Sequence, residues 1–336
     1  MSSFQKIARL SAVAAAVVLA APAFANTTTD VSANAEFDTG FQSGDNKAAN
    51  GSSQVGRIEI NVSGKAEANG YFVAGRGTVL AGNAGNNAGV DDAWVQAGSA
   101  AFDVKLGRFE AADLYATPGD VFRIGGAGLG TTNLLRGRTT YSTTNNDRLH
   151  MALTANVAPG VSIEVGVVDT KEVASGAVGG KGGAKGIRPS VGFAFGAFSA
   201  RVGFETGKVD DTTTVATTDS ASFTTFGGTA KFDLGGGMAV RANASSGKVK
   251  SGTEVKNSTV LLGFDVAGLN LSVESGKTTT GATNTKTTGL FAAYTLPLFD
   301  IKGATIAPAV GSYKDKPSAG TSTSQTKVGF RVHYDF

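Results

Sequence analysis

Charged side chains of opposite sign gather around one long stretch that lacks regular patterning, residues 109–146. Stretches of this length without secondary structure are usually functional. Acids that face arginines across a narrow wet gap create a transverse electric field, which separates dissolved molecules by charge and size. The sequence predicts such a constriction from three acids of this stretch, Glu110, Asp113 and Asp120. The arginines expected to face them, from the walls of the gap or, for Arg108, from a strand end, are Arg57, Arg76, Arg108, Arg136, Arg138 and Arg148. A solvated surface loop with scattered charges is the alternative interpretation.

Catalytic and metal chemistry have little support in the same sequence. The chain has no Cys, which excludes disulfides, thiolate zinc sites, iron–sulfur clusters and a Cys nucleophile. Its two histidines, His150 and His333, lie far apart, and neither belongs to a Ser/His/Asp pattern of the hydrolase kind. Gly-rich pieces such as 125–128 lack the Lys-Ser/Thr pair of a phosphate-binding loop. We therefore expect no enzyme, no cofactor and no metal.

The segments that must position the charges alternate apolar with polar or small residues, which is typical of β-strands with two different faces. The 47 glycines and the many Thr, Ser and Asn residues argue against a helical protein. The clearest strand is 326–336, where the polar face includes Lys327, Arg331 and His333. Its other face carries Val328, Phe330, Val332, Tyr334 and Phe336.

Sixteen such segments can be counted, and a closed bacterial barrel requires an even number. Short turns alternate with long polar loops, as in antiparallel hairpins. The predicted fold is all-β: a transmembrane antiparallel 16-stranded β-barrel whose long third loop, 109–146, folds into the lumen. Long loops are also predicted at 44–53, 170–186, 206–222, 247–256, 276–286 and 314–325. The segments begin near Val31, Val55, Tyr71, Ala93, Phe102, Asp147, Val161, Ile187, Phe198, Phe223, Met238, Thr259, Leu269, Thr288, Ala304 and Thr326.

The first 25 residues have the pattern of a secretory signal peptide. Lys6 and Arg9 precede an uncharged apolar run, and Ala23-Phe24-Ala25 fits the cleavage rule. The predicted organisation is a signal peptide, 1–25, followed by a barrel, 26–336. Cleavage removes two positive and no negative charges, so the formal net charge falls from +3 to +1. A nearly neutral chain is not expected to bind nucleic acid.

A membrane barrel explains the alternation better than a soluble sandwich. Arg, Glu, Lys, Asn and Thr on the inner face cannot pack a dry core, because burying unpaired charges costs several kcal/mol or more each. A sheet in lipid must close on itself to satisfy its backbone. Aromatic residues near the predicted short turns fit an interfacial girdle: Phe195, Phe198, Phe232, Phe299, Tyr334 and Phe336.

In three motifs the chain resembles the general porin family of Gram-negative outer membranes, the trimeric 16-stranded channels. The motifs are the signal ending at Ala25, the strand 105–108 that leads into the long third loop, and the terminal 332–336. The terminal Val332, Tyr334 and Phe336 resemble the signal that the outer-membrane assembly machinery recognises. A Pro-Glu-Phe-Gly-Gly stretch of many porins has its nearest match at 118–126, which assigns its acidic role to Asp120.

The resemblance implies a homotrimer in the cell outer membrane, in contact with membrane lipid, lipopolysaccharide and the barrel assembly machinery. The function expected from it is a water-filled channel for passive diffusion of small hydrophilic solutes and ions. Two alternatives stay open: a channel selective for a solute such as an anion or phosphate, and a secreted β-rich adhesin.

Overall fold

The computed structural model describes residues 26–82, 88–116, 135–136, 148–170, 184–211 and 219–336. The predicted signal peptide lies outside these ranges. No helix in the described ranges is long and apolar enough to cross a membrane. The strands are β1 Asn26–Gly44, β2 Gly51–Ala68, β3 Tyr71–Gly82, β4 Ala88–Ser99, β5 Phe102–Arg108, β6 Arg148–Ala158, β7 Val161–Thr170, β8 Ala184–Phe195, β9 Phe198–Asp211, β10 Asp219–Gly235, β11 Met238–Ser251, β12 Thr253–Val266, β13 Leu269–Thr280, β14 Thr283–Tyr294, β15 Leu296–Pro297, β16 Ala304–Pro317 and β17 Thr323–Asp335, with a short 3-10 helix at Lys47–Ala49.

The strands form one antiparallel sheet that closes on itself through β1 and β17. Fifteen of its neighbour relations follow chain order, if the two-residue β15 is counted with β14, because both pair with β16. Counted in this way, the barrel has sixteen strands. The predicted strand number and closure are confirmed. Near the short turns, Phe336 and Ala33 exchange two backbone hydrogen bonds of 2.9 Å, which join the chain end to the first strand.

Burial is reversed relative to a soluble protein. Arg188 and Glu205 on the inside expose 1% and 0% of their surface, whereas Leu262 and Leu290 on the outside expose 59% and 62%. The two sets occupy alternate positions of the strands, because successive side chains point to opposite faces of a sheet. A chain that buries charge and displays leucine needs water inside and an apolar medium outside.

Two-residue turns join most strands at one end of the barrel. Asn69 and Gly70 have φ of 53° and 79°, and Ala267 and Gly268 have φ of 46° and 86°. Positive φ at both central residues is the type I′ geometry that matches the twist of a hairpin. The strands at the opposite end are longer than predicted: residues 247–256 and 276–286 are strand apart from tight turns at Gly252 and 281–282, so their prediction as loops is wrong. The outward positions there are polar, as at Lys248 and Lys256, and Val249 points inward, so the apolar-outward alternation is lost while backbone pairing continues.

The strand around Trp94 has the weakest periodicity in the sequence, and the structure shows the cause. The pairing of β3 with β4 shifts register between Gly77 and Val79, which marks a bulge. Trp94 pairs with Arg76 and faces inward, and its ring lies 4.4 Å from the Lys105 Nζ. The strand exists as predicted, but the bulge interrupts its alternation.

Candidate functional site: the lumen of the barrel

The connection between β5 and β6 enters the lumen directly after Arg108. Its described first part, 109–116, makes polar contacts with inner-wall residues of three strands. The Ala112 N–H donates to Glu164 Oε1 at 3.2 Å on β7, and the Tyr115 hydroxyl donates to Glu274 Oε1 at 2.8 Å on β13. Asn243 on β11 donates to the carbonyl of Ala116. These contacts on widely spaced strands lay the segment across the interior, as the sequence predicts for the third loop.

The returning part of the connection, described at 135–136, is fixed beside the entering part. The Leu135 N–H donates to Glu205 Oε1 at 3.2 Å, and the Leu135 side chain packs with Val168 and Phe223. The Ala111 N–H donates to the carbonyl of Arg136 at 2.8 Å, which ties the two parts of the connection together. The loop is thus held by wall groups and by itself.

Two inner-wall glycines make room for leucines of the connection. A Cβ on Gly186 would lie 2.5 Å from Leu135 Cδ1, and a Cβ on Gly203 would lie 2.9 Å from Leu114 Cδ2. Both leucines are fully buried. Glycine at these two wall positions therefore allows the connection to approach the sheet closely.

The loop acids Glu110 and Asp113 are paired within the loop. Arg136 Nη2 lies 3.1 Å from Glu110 Oε2, and its Nη1 lies 3.5 Å from Asp113 Oδ2. Its Nε also donates to the Ala111 carbonyl at 3.2 Å. The expectation that Arg136 belongs to the opposing wall is wrong, because Arg136 lies in the connection itself. One arginine offsets part of the negative charge that the sequence assigns to this side of the gap.

A buried ion pair anchors the wall beneath the loop. Arg188 Nε donates to Glu205 Oε1 at 2.7 Å, and its Nη1 lies 3.8 Å from Glu164 Oε1. Thr225 also donates to Glu205 Oε2 at 3.4 Å. Removing one partner of such a pair is costly because the other charge stays buried. Glu164 and Glu205 thus bind Arg188 and the loop backbone at once, and their position depends on both.

The wall of β17, β1, β2 and β3 carries a ladder of alternating charges. Arg57 and Arg76 occupy inner positions there, as expected, and Arg76 lies 3.4 Å from Glu59 and 3.6 Å from Asp92. Their side chains are 45% and 36% exposed within the lumen. The remaining pairs of the ladder are Arg57–Glu36 at 3.7 Å, Arg57–Glu59 at 3.9 Å, Arg331–Glu36 at 3.0 Å and Arg331–Asp38 at 2.7 Å.

The constriction predicted from the sequence includes neither the acids of this ladder nor Arg331. Simple alternation along the strands places Glu36, Asp38 and Glu59 on the inner face. This alternation, or strand parity, was enough to find them. Parity says nothing about pairing between β1 and β17, which brings Asp38 opposite Arg331 across 293 positions of the chain. The sequence predicts a basic wall here, but the wall carries both acidic and basic side chains.

Arg108 is not a lumen residue. It pairs with Ala93 and shares the face of Leu106, which is the outer face, and its Nε donates to the carbonyls of Val90 at 3.0 Å and Asp91 at 2.7 Å. Its placement in the constriction is therefore wrong, since the strand end keeps outward parity. Arg148 is the first residue of β6, but its side chain, like all of Asp120 and Arg138, lies outside the described part of the chain.

Basic groups also line the lumen between the loop and the short turns. A recess of about 770 Å³ separates Asp113 from Arg201, Lys231 and Arg241 on the wall. Arg241 is paired with Asp265 at 2.6 Å, whereas Arg201 donates to the neutral Ser190 hydroxyl at 2.9 Å. Guanidinium groups therefore lie on one side of the lumen between the loop and the short turns.

Several solved structures have the same fold. An anion-selective porin from Comamonas acidovorans matches with a TM-score of 0.61 and 15% identity, over 93% of this chain and all of that one. OmpT of Vibrio cholerae in its trimer form matches with 0.63 and 10% identity, over 92% of this chain and 99% of that one. The outer membrane channel DcaP of Acinetobacter baumannii matches with 0.63 and 11% identity, over 92% and 97%.

No protein family model matches the sequence, and no curated protein does so either. The likeness therefore rests on the three-dimensional arrangement: sixteen strands, closure of the first strand on the last, and a connection that crosses a charged interior. In these features the chain has the fold of the Gram-negative outer-membrane porins.

Proposed function

We propose that this protein is a porin of the cell outer membrane, a water-filled channel for passive diffusion of small hydrophilic solutes and ions. The observation that carries the proposal is the reversal of burial, with charges inside and large apolar side chains outside. Groups such as Arg57 and Arg76 keep more than a third of their surface exposed inside the barrel. Such side chains need water around them, and that water is the path for solutes.

The charges along this path support selection of ions by charge, and no catalytic step is needed for it. The connection narrows the lumen, and both signs of charge line its sides. Within the described residues, no three His, Asp or Glu side chains are grouped so as to hold a metal ion. We assign the protein no enzymatic step, since diffusion through a polar lumen needs only an open path and a field.

Selectivity for anions is a second candidate. Pairing of Glu110 and Asp113 with Arg136 weakens the negative side of the constriction. Arg201, which donates to the neutral Ser190 hydroxyl, then adds a cation at the recess. This arrangement favours anions over cations, and the Comamonas neighbour is described as anion-selective.

A homotrimer, delivered by the signal peptide 1–25, is part of the proposal. OmpT of Vibrio cholerae, with the same fold, is described in a trimer form. On β3 and β4 the outer face has small residues, including Gly75, Gly77, Ala93 and Ala97. Together with the exposed apolar Val73 and Val95, these small residues form a surface on which subunits could pack closely. Crosslinking in detergent should give a trimer, and a monomer alone would contradict this part.

The terminal aromatic pair supports assembly by the outer-membrane machinery. Tyr334 and Phe336 stack with ring centroids 5.4 Å apart and stand on the outer face with Val332. Deleting Phe336 should sharply reduce the amount of barrel inserted in the outer membrane. Phe299→Ala is the control, because Phe299 is a girdle aromatic, 83% exposed, outside the terminal signal.

Recording from planar lipid bilayers tests the central proposal. Purified protein should produce stepwise, voltage-proportional currents, and a salt gradient should give a reversal potential whose sign reports the preferred ion. Heat-denatured protein in the same detergent is the control. Bilayers that stay electrically silent with folded protein would overturn the proposal.

A further inference from the structure

Two neighbouring strands place two cations and two hydroxyl groups at the corners of one small patch of the inner wall. Arg201 on β9 pairs with Thr229 on β10, and two positions nearer the short turns Ser199 pairs with Lys231. All four residues have inward parity and line the recess between the loop and the short turns. These four residues, Ser199, Arg201, Thr229 and Lys231, form the β9–β10 quartet.

The two cations of the quartet lie close together with little compensation by acids. They are diagonal neighbours across the strand pair, a relation that places residues roughly 7–8 Å apart. Among the described residues Arg201 has no acidic partner, and its Nη1 donates to the neutral Ser190 hydroxyl at 2.9 Å. The Lys231 Nζ lies 4.0 Å from Asp233 Oδ2, and these side chains are 39% and 55% exposed, so water screens the pair. The patch therefore retains positive charge.

The neighbouring strand β8 leaves open space beside the quartet. Gly192 pairs with Arg201 across to β9. Ala194, the next inward residue of β8, pairs with Ser199. A Cβ on Gly192 would lie 3.0 Å from Arg201 Nη2 and 2.7 Å from Ser162 Oγ on β7. A guanidinium and a hydroxyl therefore approach each other over bare backbone, and only glycine leaves room for both.

The recess has room for an organic solute. Its volume of about 770 Å³ exceeds that of an inorganic ion and falls within the range of roughly 300–1,000 Å³ that is usual for small-molecule sites. The Thr229 hydroxyl donates to Asn243 Oδ1 at 2.6 Å and keeps its oxygen as an acceptor. A serine hydroxyl both donates and accepts, so Ser162 and Ser199 suit hydroxyl groups as well as anionic oxygens.

We propose that this part of the lumen binds a phosphorylated monosaccharide. The phosphate lies between Arg201 and Lys231, and the sugar lies over Gly192 and reaches the Ser162 hydroxyl. A phosphate monoester carries roughly −1.5 to −2 charges at neutral pH and three acceptor oxygens, which matches two cations on separate strands better than the single charge of a carboxylate does. The site rests on the proposed function, because a solute reaches it only through an open lumen.

Isothermal titration calorimetry of the full barrel in detergent, with glucose 6-phosphate as the ligand, tests the site. The unmodified chain should show saturable binding. Arg201→Gln and Lys231→Gln should each bind about tenfold more weakly, because each loses a hydrogen-bonded contact between opposite charges. Lys302→Gln is the control of equal charge, since Lys302 is exposed at the same end of the barrel and does not line the recess. It should bind as the unmodified chain does.

The two parts of the ligand can be tested separately. Ser162→Ala should weaken binding of glucose 6-phosphate about fivefold, because one hydrogen bond to the sugar is lost, and should leave binding of inorganic phosphate unchanged. Inorganic phosphate, glucose and gluconate should each bind the unmodified chain more weakly than glucose 6-phosphate does. Inorganic phosphate that binds as tightly would overturn the assignment of the sugar, and gluconate that binds as tightly would overturn the assignment of the phosphate.

The outcomes are separable from those of the channel proposal, because calorimetry measures binding without any ion current. Equal affinities of Arg201→Gln, Lys231→Gln and Lys302→Gln for glucose 6-phosphate would overturn the site. An unmodified chain that conducts in bilayers but does not bind glucose 6-phosphate would also overturn the site and leave the channel standing. Binding by a chain whose bilayers stay electrically silent would contradict the proposed function alone.

Discussion

Arg136 Nη2 lies 3.1 Å from Glu110 Oε2, although both residues belong to the same connection inside the barrel. The pair makes the constricting segment partly self-neutralised, so ions meet a weaker acidic edge than a count of carboxylates suggests. It also joins the entering and returning parts of the connection, together with the Ala111 N–H bond to the Arg136 carbonyl. The same arginine therefore influences both the field and the position of the loop.

Arg136→Gln should raise the preference of the channel for cations. Loss of the guanidinium leaves Glu110 and Asp113 uncompensated beside the path. The interaction energy between one charge and an ion at roughly 8 Å in water is on the order of 0.5 kcal/mol. An energy of this size changes the relative permeability by about twofold. Reversal potentials across a salt gradient measure this. Lys302→Gln, which removes an exposed charge, is the control, and an equal shift in both variants would contradict the assignment.

Tyr115→Phe should loosen the connection without changing any formal charge. The variant loses the hydrogen bond from the Tyr115 hydroxyl to Glu274 Oε1, at 2.8 Å, between a buried donor and a buried carboxylate. Bonds to charged groups contribute about 1.5–3 kcal/mol. Single-channel traces should show more frequent fluctuations between current levels.

The matched control for that change is Tyr71→Phe. Tyr71 is 62% exposed on the outer face and has no contact with the connection in the described residues. Current noise that rises equally in both variants would show that the Tyr115 hydroxyl does not hold the loop.

Glu205→Gln should strongly destabilise the barrel. The change removes the carboxylate that lies 2.7 Å from the buried Arg188 guanidinium and leaves Glu164 3.8 Å away. Breaking a buried pair by neutralising one partner costs about 3–5 kcal/mol. The midpoint of urea unfolding in micelles, followed by fluorescence of Trp94, the one tryptophan of the chain, should fall accordingly.

Glu67→Gln is the control for this loss. Glu67 pairs with Lys65, but both side chains are about half exposed, at 55% and 48%. Exposed pairs contribute about 0–1 kcal/mol. A similar fall in the two unfolding midpoints would mean that burial of the Arg188–Glu205 pair is not what stabilises this wall.

Much of the fold was predictable because the period-two alternation is imposed directly by apolar surroundings outside and water inside. Val328 and Phe330 on one face and Lys327 on the other illustrate this near the chain end. The pattern ends where strands extend beyond the apolar band, because the outward positions there, such as Lys248 and Lys256, are charged. Strands between residues 247 and 256 were therefore mistaken for a loop.

The candidate site was predictable in part. Alternation places Arg57 and Arg76 on the inner wall, as predicted, because parity is a local property. Contacts such as Tyr115 with Glu274, 159 positions apart, depend on how the connection crosses the barrel, and no local pattern records that. Alternation made Arg136 a candidate for the wall, but its partners Glu110 and Asp113 lie earlier in the same loop.

Asp45→Asn should weaken the clasp between the first and last long-loop connections. The Asp45 carboxylate accepts hydrogen bonds from the Ser324 backbone N–H at 2.7 Å and from its hydroxyl at 3.0 Å. These bonds favour the charged form and lower the pKa of Asp45 below its ordinary value of 3.8. Because the folded pKa is depressed, the stabilisation is complete above pH 3.8 and is lost as pH falls through the folded value.

Hydrogen exchange of the Ser324 amide measures this clasp. Once corrected for intrinsic exchange, protection should be constant at pH 5–7 in the unmodified chain, as expected for a carboxyl that stays ionised there, and should fall only below pH 3.8. Asp45→Asn should show reduced protection at neutral pH with no further acid-dependent loss, because the amide side chain does not titrate. Asp300→Asn, at the opposite end of the barrel, is the control. Acid-dependent loss that persists in Asp45→Asn would assign the effect to another group.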